Sequence, residues 1–190
     1  MKNNRIILYL IVLSLILFSQ INAYCADYFK LYEKTELPKF KFHNNIDPYQ
    51  SEDYFKYAYS PYPLFRTSSD LYFKSLRIPS GYYIITPRHY KNQDIVLFKS
   101  NGEVKFIVPV LDKDIVPVDF YKRNLPQVKL TKFQKFKKNI IQAINNHFKS
   151  SKKEEPPKSF IVVDKIAPNW CLIKLYYGPD IYIMLFSLVK

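Results

Sequence analysis

The residues that most often carry chemistry are few in this chain and widely separated. The histidines are His43, His89 and His147, and no two of them stand at the spacing of a paired metal motif. Only three glycines occur, which is too few for a Gly-rich phosphate loop. We therefore expect no metal ion and no cofactor, and the sequence favours a non-catalytic protein.

His89 has the most polar neighbourhood of the three histidines. It follows Arg88 in the stretch RHYKNQD, which the sequence predicts to be a loop between two strands. Loops of this kind carry many of the binding groups of proteins. Arg88 and His89 are therefore candidate binding residues, and a merely solvated connection is the alternative.

Acidic residues offer a different route to catalysis, because glycosidases work with two carboxyl groups on either side of the scissile bond. Glu33, Glu36, Glu52 and Asp53 are candidates that only the fold could bring together. An exported hydrolase acting on envelope polymers is therefore an alternative function. It requires a cleft that gathers His89 or several carboxylates with shifted pKa values.

A cluster of lysines gives the strongest functional signal. Lys132, Lys135, Lys137 and Lys138 fall in the first two turns of a helix predicted over residues 131–149. Positive charge there opposes the helix macrodipole, so helix stability does not explain these lysines. They suit an anionic lipid or a cell-wall polymer. The alternative is codon bias, since lysine outnumbers arginine 24 to 5.

The helix itself is predicted from its first residues and from an apolar face. Thr131 and Gln134 have the spacing of a capping box. We expect the apolar face to pack on or beside a sheet. The residues of this face are Phe133, Phe136, Ile140, Ile141, Ile144 and Phe148.

Runs of β-branched and aromatic residues predict strands before and after this helix. Asn101-Gly102 lies between two such runs and predicts a two-residue hairpin turn. That turn would pair Lys99 with Val104 and Phe98 with Lys105, with the turn in water and the far end covered on both faces. The fold class is therefore α+β, an antiparallel β-rich single domain with one amphipathic helix. We expect about six strands in two three-stranded meanders, whose likeness reflects a duplication or merely shared geometry.

Three regions are distinguished along the chain. Residues 1–23 form a predicted signal peptide, and residues 24–80 form an irregular segment, rich in aromatic residues and proline, that packs on the core. Residues 81–190 form the β-rich core, which includes the helix and a flexible connector over residues 150–158. A short helix is expected near residues 51–58, with Ser51 as its cap.

The N-terminal segment is predicted to direct export. Its apolar run covers residues 6–18, which is shorter than the roughly 20 residues of a transmembrane helix but suits a signal peptide. Cleavage after Ala23 is preferred, cleavage after Ala26 is an alternative, and an uncleaved anchor is a third. The expected location is periplasmic, envelope-associated or extracellular.

Export also bears on the two cysteines, Cys25 and Cys171. Cleavage after Ala23 leaves both in an oxidising compartment, where a disulfide between them could form. Cleavage after Ala26 leaves Cys171 alone, as a buried thiol.

The net charge of the chain bears on which partners are expected. The net charge is +13, and it becomes +11 once Lys2 and Arg5 are removed with the signal peptide. We expect no nucleic acid partner, because export separates the protein from the nucleic acids of the cell and no recognised binding motif is present. The preferred function is an exported, non-catalytic cell-envelope protein that binds or scaffolds at an anionic surface or polymer. A membrane-anchored protein is a further alternative, and the oligomeric state is left open.

Overall fold

The computed structural model describes residues 27–126, 131, 133, 134, 136, 137, 140 and 153–189. Three helices lie in the first of these ranges: α1 over residues 27–34, α2 (Gln50–Lys56) and α3 (Phe120–Asn124). A single 3-10 turn covers His43–Asn45. The strands are β1 (Leu64–Thr67), β2 (Leu71–Phe73), β3 (Leu76–Ile78), β4 (Gly81–Tyr90), β5 (Gln93–Ser100), β6 (Glu103–Pro109), β7 (Asp112–Ile115), β8 (Ser159–Ala167), β9 (Trp170–Tyr177) and β10 (Asp180–Ser187).

These strands form two antiparallel sheets. Sheet one has the order β1-β4-β5-β6, and sheet two has the order β3-β2-β10-β9-β8, with β7 also paired to β10. The expected β-rich α+β character is therefore confirmed. The described residues hold more strands than the six expected. The additional strands β1, β2, β3 and β7 have only three or four residues each, too few for alternation to be recognised in the sequence.

The region expected to be irregular, residues 24–80, contains three of these short strands together with α1 and α2. Strands β2 and β3 extend sheet two, and β1 extends sheet one. Helix α2 begins at Gln50, one residue before the predicted range. Its N-cap residue is Tyr49 rather than Ser51, and the Tyr49 side chain forms no capping hydrogen bond.

Strand β5 is buried on both faces. Val96 and Phe98 face the core shared with sheet two, whereas Ile95 and Leu97 face a smaller cluster that includes Phe42. All four β5 side chains have no exposed surface. The segment before α2 therefore covers the outer face of sheet one.

The hairpin between β5 and β6 follows the sequence prediction at its turn and departs from it beyond Lys99. Asn101 and Gly102 have φ angles of 53° and 80°, as the predicted turn requires. Lys99 pairs with Val104, but a bulge then places Phe106, not Lys105, opposite Phe98. Directly paired residues share a face, so the predicted register would have turned Lys105 towards the core. The bulge places an aromatic ring there instead.

The predicted loop RHYKNQD is largely strand, and this prediction was wrong. Strand β4 continues to Tyr90, and the turn is Lys91-Asn92, with φ angles of 50° and 59°. Pro87 is tolerated inside β4 because of the direction of its nitrogen. The N–H of Ile85 points away from β5 and donates to the Pro63 carbonyl. The nitrogen of Pro87 points to the same edge, but beyond Gly81–Ile84, the part of β4 that pairs with β1.

The start of the predicted helix at 131 is present, but its packing differs from the expectation. The Thr131 N–H donates to Gln134 Oε1 at 3.0 Å, and the Gln134 N–H donates to Thr131 Oγ1 at 3.3 Å, which forms the capping box. Phe133, Phe136 and Ile140 are helical and are 75%, 63% and 43% exposed. This part of the apolar face is therefore not buried on a sheet.

Several expectations fall outside the described residues. The signal peptide over residues 1–23 and the remaining positions of the helix up to 149 belong to this group.

Within the part of the chain that is described, no helix has the length and apolar character needed to cross a membrane. Residues 153–158 of the predicted connector are described, and the Glu154 backbone bonds there to Lys56 and Ala58.

Candidate functional site: a buried ion network beside a tyrosine-lined cavity

Arg88 is the centre of a buried network of charged groups. Its Nε and Nη2 atoms donate to the Asp47 carboxylate at 3.2 and 2.7 Å, and Nη2 also contacts Asp53. Nη1 donates to the Tyr62 hydroxyl at 2.5 Å. The Arg88 side chain is 11% exposed and that of Asp47 is fully buried. The guanidinium thus has carboxylate or hydroxyl partners on all three nitrogens.

Lys99 and Tyr62 complete the network. Lys99 Nζ donates to Asp47 Oδ2 at 2.9 Å, and the Tyr62 hydroxyl donates to Asp53 Oδ2 at 2.6 Å. The N–H of Tyr49 adds a bond to Asp47 Oδ1 at 3.1 Å. Two carboxylates therefore face two cations, and the formal charge of the network is zero.

The sheet register explains why these groups meet. Arg88 lies opposite Ile95 and Lys99 lies opposite Ile84, so both basic side chains leave the same face of sheet one. This is the outer face, which the segment around Phe42 covers. Asp47 precedes α2 and Asp53 lies within it, so the network joins this segment to the sheet.

Burial and charge fix the protonation states in the network. Burial opposes ionisation of Asp47, but the bonds and charges of Arg88 and Lys99 outweigh it and lower the pKa of that carboxyl. Burial also opposes the charge on Arg88, but hydrogen bonding to Asp47 leads the effects that raise its pKa above the usual value. The pKa of Tyr62 is raised mainly by burial. Asp47 is therefore a bound anion at neutral pH rather than a proton donor.

This lowered pKa predicts how stability depends on pH. Asp47 contributes stability above its unfolded pKa of about 4, and this contribution is lost as the pH falls through the lower folded value. An Asp47→Asn variant lacks this titration. The wild type should therefore be more stable by a constant amount near neutral pH, and this advantage should shrink below about pH 4. Urea unfolding of both proteins between pH 7 and pH 3 measures it, and an unchanged difference would contradict the assignment.

Arg88 and His89, which the sequence singled out together, are not brought together. Successive side chains of a strand point to opposite faces, so His89 leaves the network side. Its side chain is 64% exposed, and Nδ1 lies 3.0 Å from Asp94 Oδ1. Arg88 belongs to the buried network, whereas His89 belongs to a surface pair.

The candidate carboxylates are also dispersed. Glu36 lies 3.1 Å from Lys39 in a surface ion pair, and Glu33 and Glu52 are exposed. Only Asp53 enters the network, where its partner carboxylate is Asp47, which the sequence did not indicate. No group of three potential metal-binding side chains occurs among the residues that the structure describes.

The lysine cluster is represented by a single described residue. Lys137 is helical and exposed, while Lys132, Lys135 and Lys138 lie outside the described residues.

Of the two cysteines, only Cys171 lies among the described residues. Cys171 is buried in β9, and burial raises the pKa of its thiol to about 11, so the thiol is a poor nucleophile at neutral pH. Cys25 lies outside the described residues, and a bridge between the two cysteines stays a prediction.

One residue of this network carries a signal in the sequence. Ile95, Leu97 and Lys99 alternate along β5, so Lys99 occupies the next position on a buried apolar face. A lysine there requires an anionic partner. The hairpin pattern instead predicts that the turn end is in water, and Asp47 carries no local signal of its own.

A cavity of about 310 Å³ lies beside the network and includes three of its members, Asp53, Tyr62 and Lys99, in its lining. Helix α2 and the chain that follows it form one side, and β4, β5 and the Gly102 turn form another. Lys153 completes the lining from the connector. The aromatic side chains of the lining are Tyr54, Tyr57, Tyr59 and Tyr62.

Comparison with known proteins finds no family model, no curated protein and no solved structure that matches this chain. The functional argument therefore depends on the geometry described above.

Proposed function

We propose that the protein is an exported, non-catalytic component of the cell envelope that binds an anionic lipid surface through the helix predicted over residues 131–149. The observation that carries this proposal is the exposed apolar face of that helix at Phe133, Phe136 and Ile140. The N-terminal segment supports export, and the net charge of +13 supports an anionic partner.

The exposed face favours a bilayer over a cell-wall polymer. A wall polymer offers anionic groups to the lysines but no apolar layer to the two phenylalanine rings. A bilayer offers both, because an amphipathic helix lies in its interface with the apolar face below the headgroups. Full burial of one such side chain contributes about 1.5–3 kcal/mol.

The lysines of the helix supply the second half of the interaction. Lys137 is exposed, and the sequence places Lys132, Lys135 and Lys138 within the same two turns. A basic residue near an anionic membrane contributes about 1 kcal/mol. This also explains lysines that oppose the helix macrodipole, since the membrane supplies the compensating charge.

The alternative functions receive less support. The hydrolase would need free acid and base groups in a cleft, but Asp47 and Asp53 are neutralised by Arg88 and Lys99, and His89 is a surface residue. A membrane-anchored protein would use the same helix beside the bilayer. The intact mass of the natively produced protein distinguishes an uncleaved chain from one that begins at Tyr24.

Vesicle binding tests the proposal directly. We expect the protein to co-sediment with vesicles of phosphatidylglycerol and phosphatidylcholine, and to do so much less with phosphatidylcholine alone. Replacing Lys132, Lys135, Lys137 and Lys138 with glutamate should weaken binding to the anionic vesicles at least about tenfold. Replacing Phe133 and Phe136 with serine should weaken it similarly without changing the net charge.

A charge-matched variant provides the control. Lys30, Lys34, Lys41 and Lys91 are exposed and lie outside the helix, so their replacement with glutamate changes the net charge equally. Binding that falls equally in both lysine variants would indicate net charge alone and would reject the helix as the contact. Binding that survives both helix variants would reject the proposal as a whole.

A further inference from the structure

The tyrosine-lined cavity is a second place where this protein presents apolar surface to solvent. Tyr54 and Tyr59 are 71% and 66% exposed. Flat, exposed rings around a concavity offer their faces to a ligand. The volume of about 310 Å³ is at the small end of the range for ligand sites.

The lining is held in place by the fold. Tyr62 is fixed through its hydroxyl, which bonds to Arg88 and Asp53, and its ring stacks on Tyr177 with centroids 5.5 Å apart. The Lys99 ammonium is held by Asp47. On the opposite side, the Glu154 backbone pairs with the end of α2 and holds Lys153 beside the tyrosines. Little ordering of these groups is therefore required when a ligand enters.

The charges in the lining select the ligand class. Lys99 and Asp53 belong to the neutral network, so they add no net charge to the cavity. Lys153 is exposed and forms no ion pair with a described residue, and its Nζ lies 4.4 Å from the centroid of the Tyr54 ring. It also donates to the Tyr54 carbonyl at 2.8 Å, which leaves further N–H groups for a ligand.

From these contacts we infer that the cavity binds a saccharide that carries a carboxylate. The tyrosine faces would stack on the apolar face of the sugar ring, and the Lys153 ammonium would bind the carboxylate. Gln50 and Ser60, which also line the cavity, are suited to bond hydroxyl groups. An organic cation, the other usual ligand of tyrosine cages, is disfavoured by the Lys153 ammonium, which no described carboxylate neutralises. None of the described residues of the helix proposed to bind lipid lines this cavity.

The inference is tested with D-glucuronate and D-glucose, which differ in the carboxylate at C6. Both are titrated into the full chain while amide resonances are followed by two-dimensional NMR. We expect the resonances of cavity residues to move with both sugars, with the affinity for glucuronate about fivefold higher. Equal affinities, no binding, or shifts that map outside the cavity would overturn the inference.

Two exposed-residue variants separate the two recognition elements. Lys153→Gln should abolish the preference for glucuronate, because it removes the charge that binds the carboxylate. Tyr59→Ala should weaken both sugars about fivefold to tenfold, because it removes a stacking face. The controls are Lys34→Gln and Tyr82→Ala, which alter exposed residues outside the cavity and should change neither affinity. If the controls change binding as much as the cavity variants, the site is rejected.

Discussion

Replacing Asp47 with alanine is expected to lower the free energy of unfolding by about 3–5 kcal/mol. Asp47 is fully buried and accepts bonds from Arg88 and Lys99, whose side chains are only 11% and 8% exposed. Removing it leaves both cations with one carboxylate fewer in a place that water reaches poorly. Breaking a buried ion pair in this way costs far more than the intact pair contributes. Urea unfolding at neutral pH measures the change.

The matched control is Glu36→Ala, which also removes a carboxylate from an ion pair with a lysine. Both side chains of that pair are mostly exposed, at 86% for Lys39 and 75% for Glu36, so only a small change is expected. A triple variant, Asp47→Leu with Arg88→Met and Lys99→Met, should recover part of the lost stability, because it leaves fewer buried charges without partners. Equal effects of Asp47→Ala and Glu36→Ala would show that the network does not stabilise the fold.

Replacing Phe98 with alanine is expected to cost a similar amount, about 3–5 kcal/mol, for a different reason. Phe98 has no exposed surface and lies where the two sheets meet. Its ring contacts Phe65 of β1, Tyr83 of β4 and Phe186 of β10, with centroid separations of 6.0, 5.8 and 6.1 Å. The substitution therefore leaves a cavity between the sheets as well as losing the buried ring.

Phe55→Ala is the control for this prediction, since it makes the same chemical change at a side chain that is 73% exposed. We expect little loss of stability there, whereas Phe98→Ala should shift the urea midpoint strongly. Should both variants unfold at the same denaturant concentration, the interface between the sheets would not be the main core of the molecule.

Much of sheet one could be predicted because its signals are local. Asn101-Gly102 specifies a turn from two residues, and the apolar runs on either side specify the strands that it joins. The register failed beyond Lys99 because the bulge places Phe106 on the core face of sheet one, where its ring centroid lies 6.0 Å from that of Tyr83 in β4. Tyr83 lies outside the β5–β6 hairpin, so the residue pattern of that hairpin does not predict the contact.

The ion network could not be predicted for a related reason. Asp47 and Lys99 are 52 positions apart, and Asp47 and Arg88 are 41 apart. Nothing near Asp47 in the sequence distinguishes it from a solvated acidic residue before a proline. Lys99 did carry a signal, since it continues a buried apolar face, but that signal predicts only that a partner exists. The identity of the partner depends on how the segment before α2 folds over sheet one.

Pro87 in β4 has a consequence for association between copies of this chain. Strand β1 pairs with β4 only from Gly81 to Ile84, so the later part of β4 has an edge with no paired strand among the described residues. Open edges of this kind act as templates for a strand from another molecule, which leads to aggregation. Pro87 has no N–H, so a strand that approached this edge would lack one of the backbone donors it needs. The same residue therefore weakens any pairing of a second copy along this part of β4.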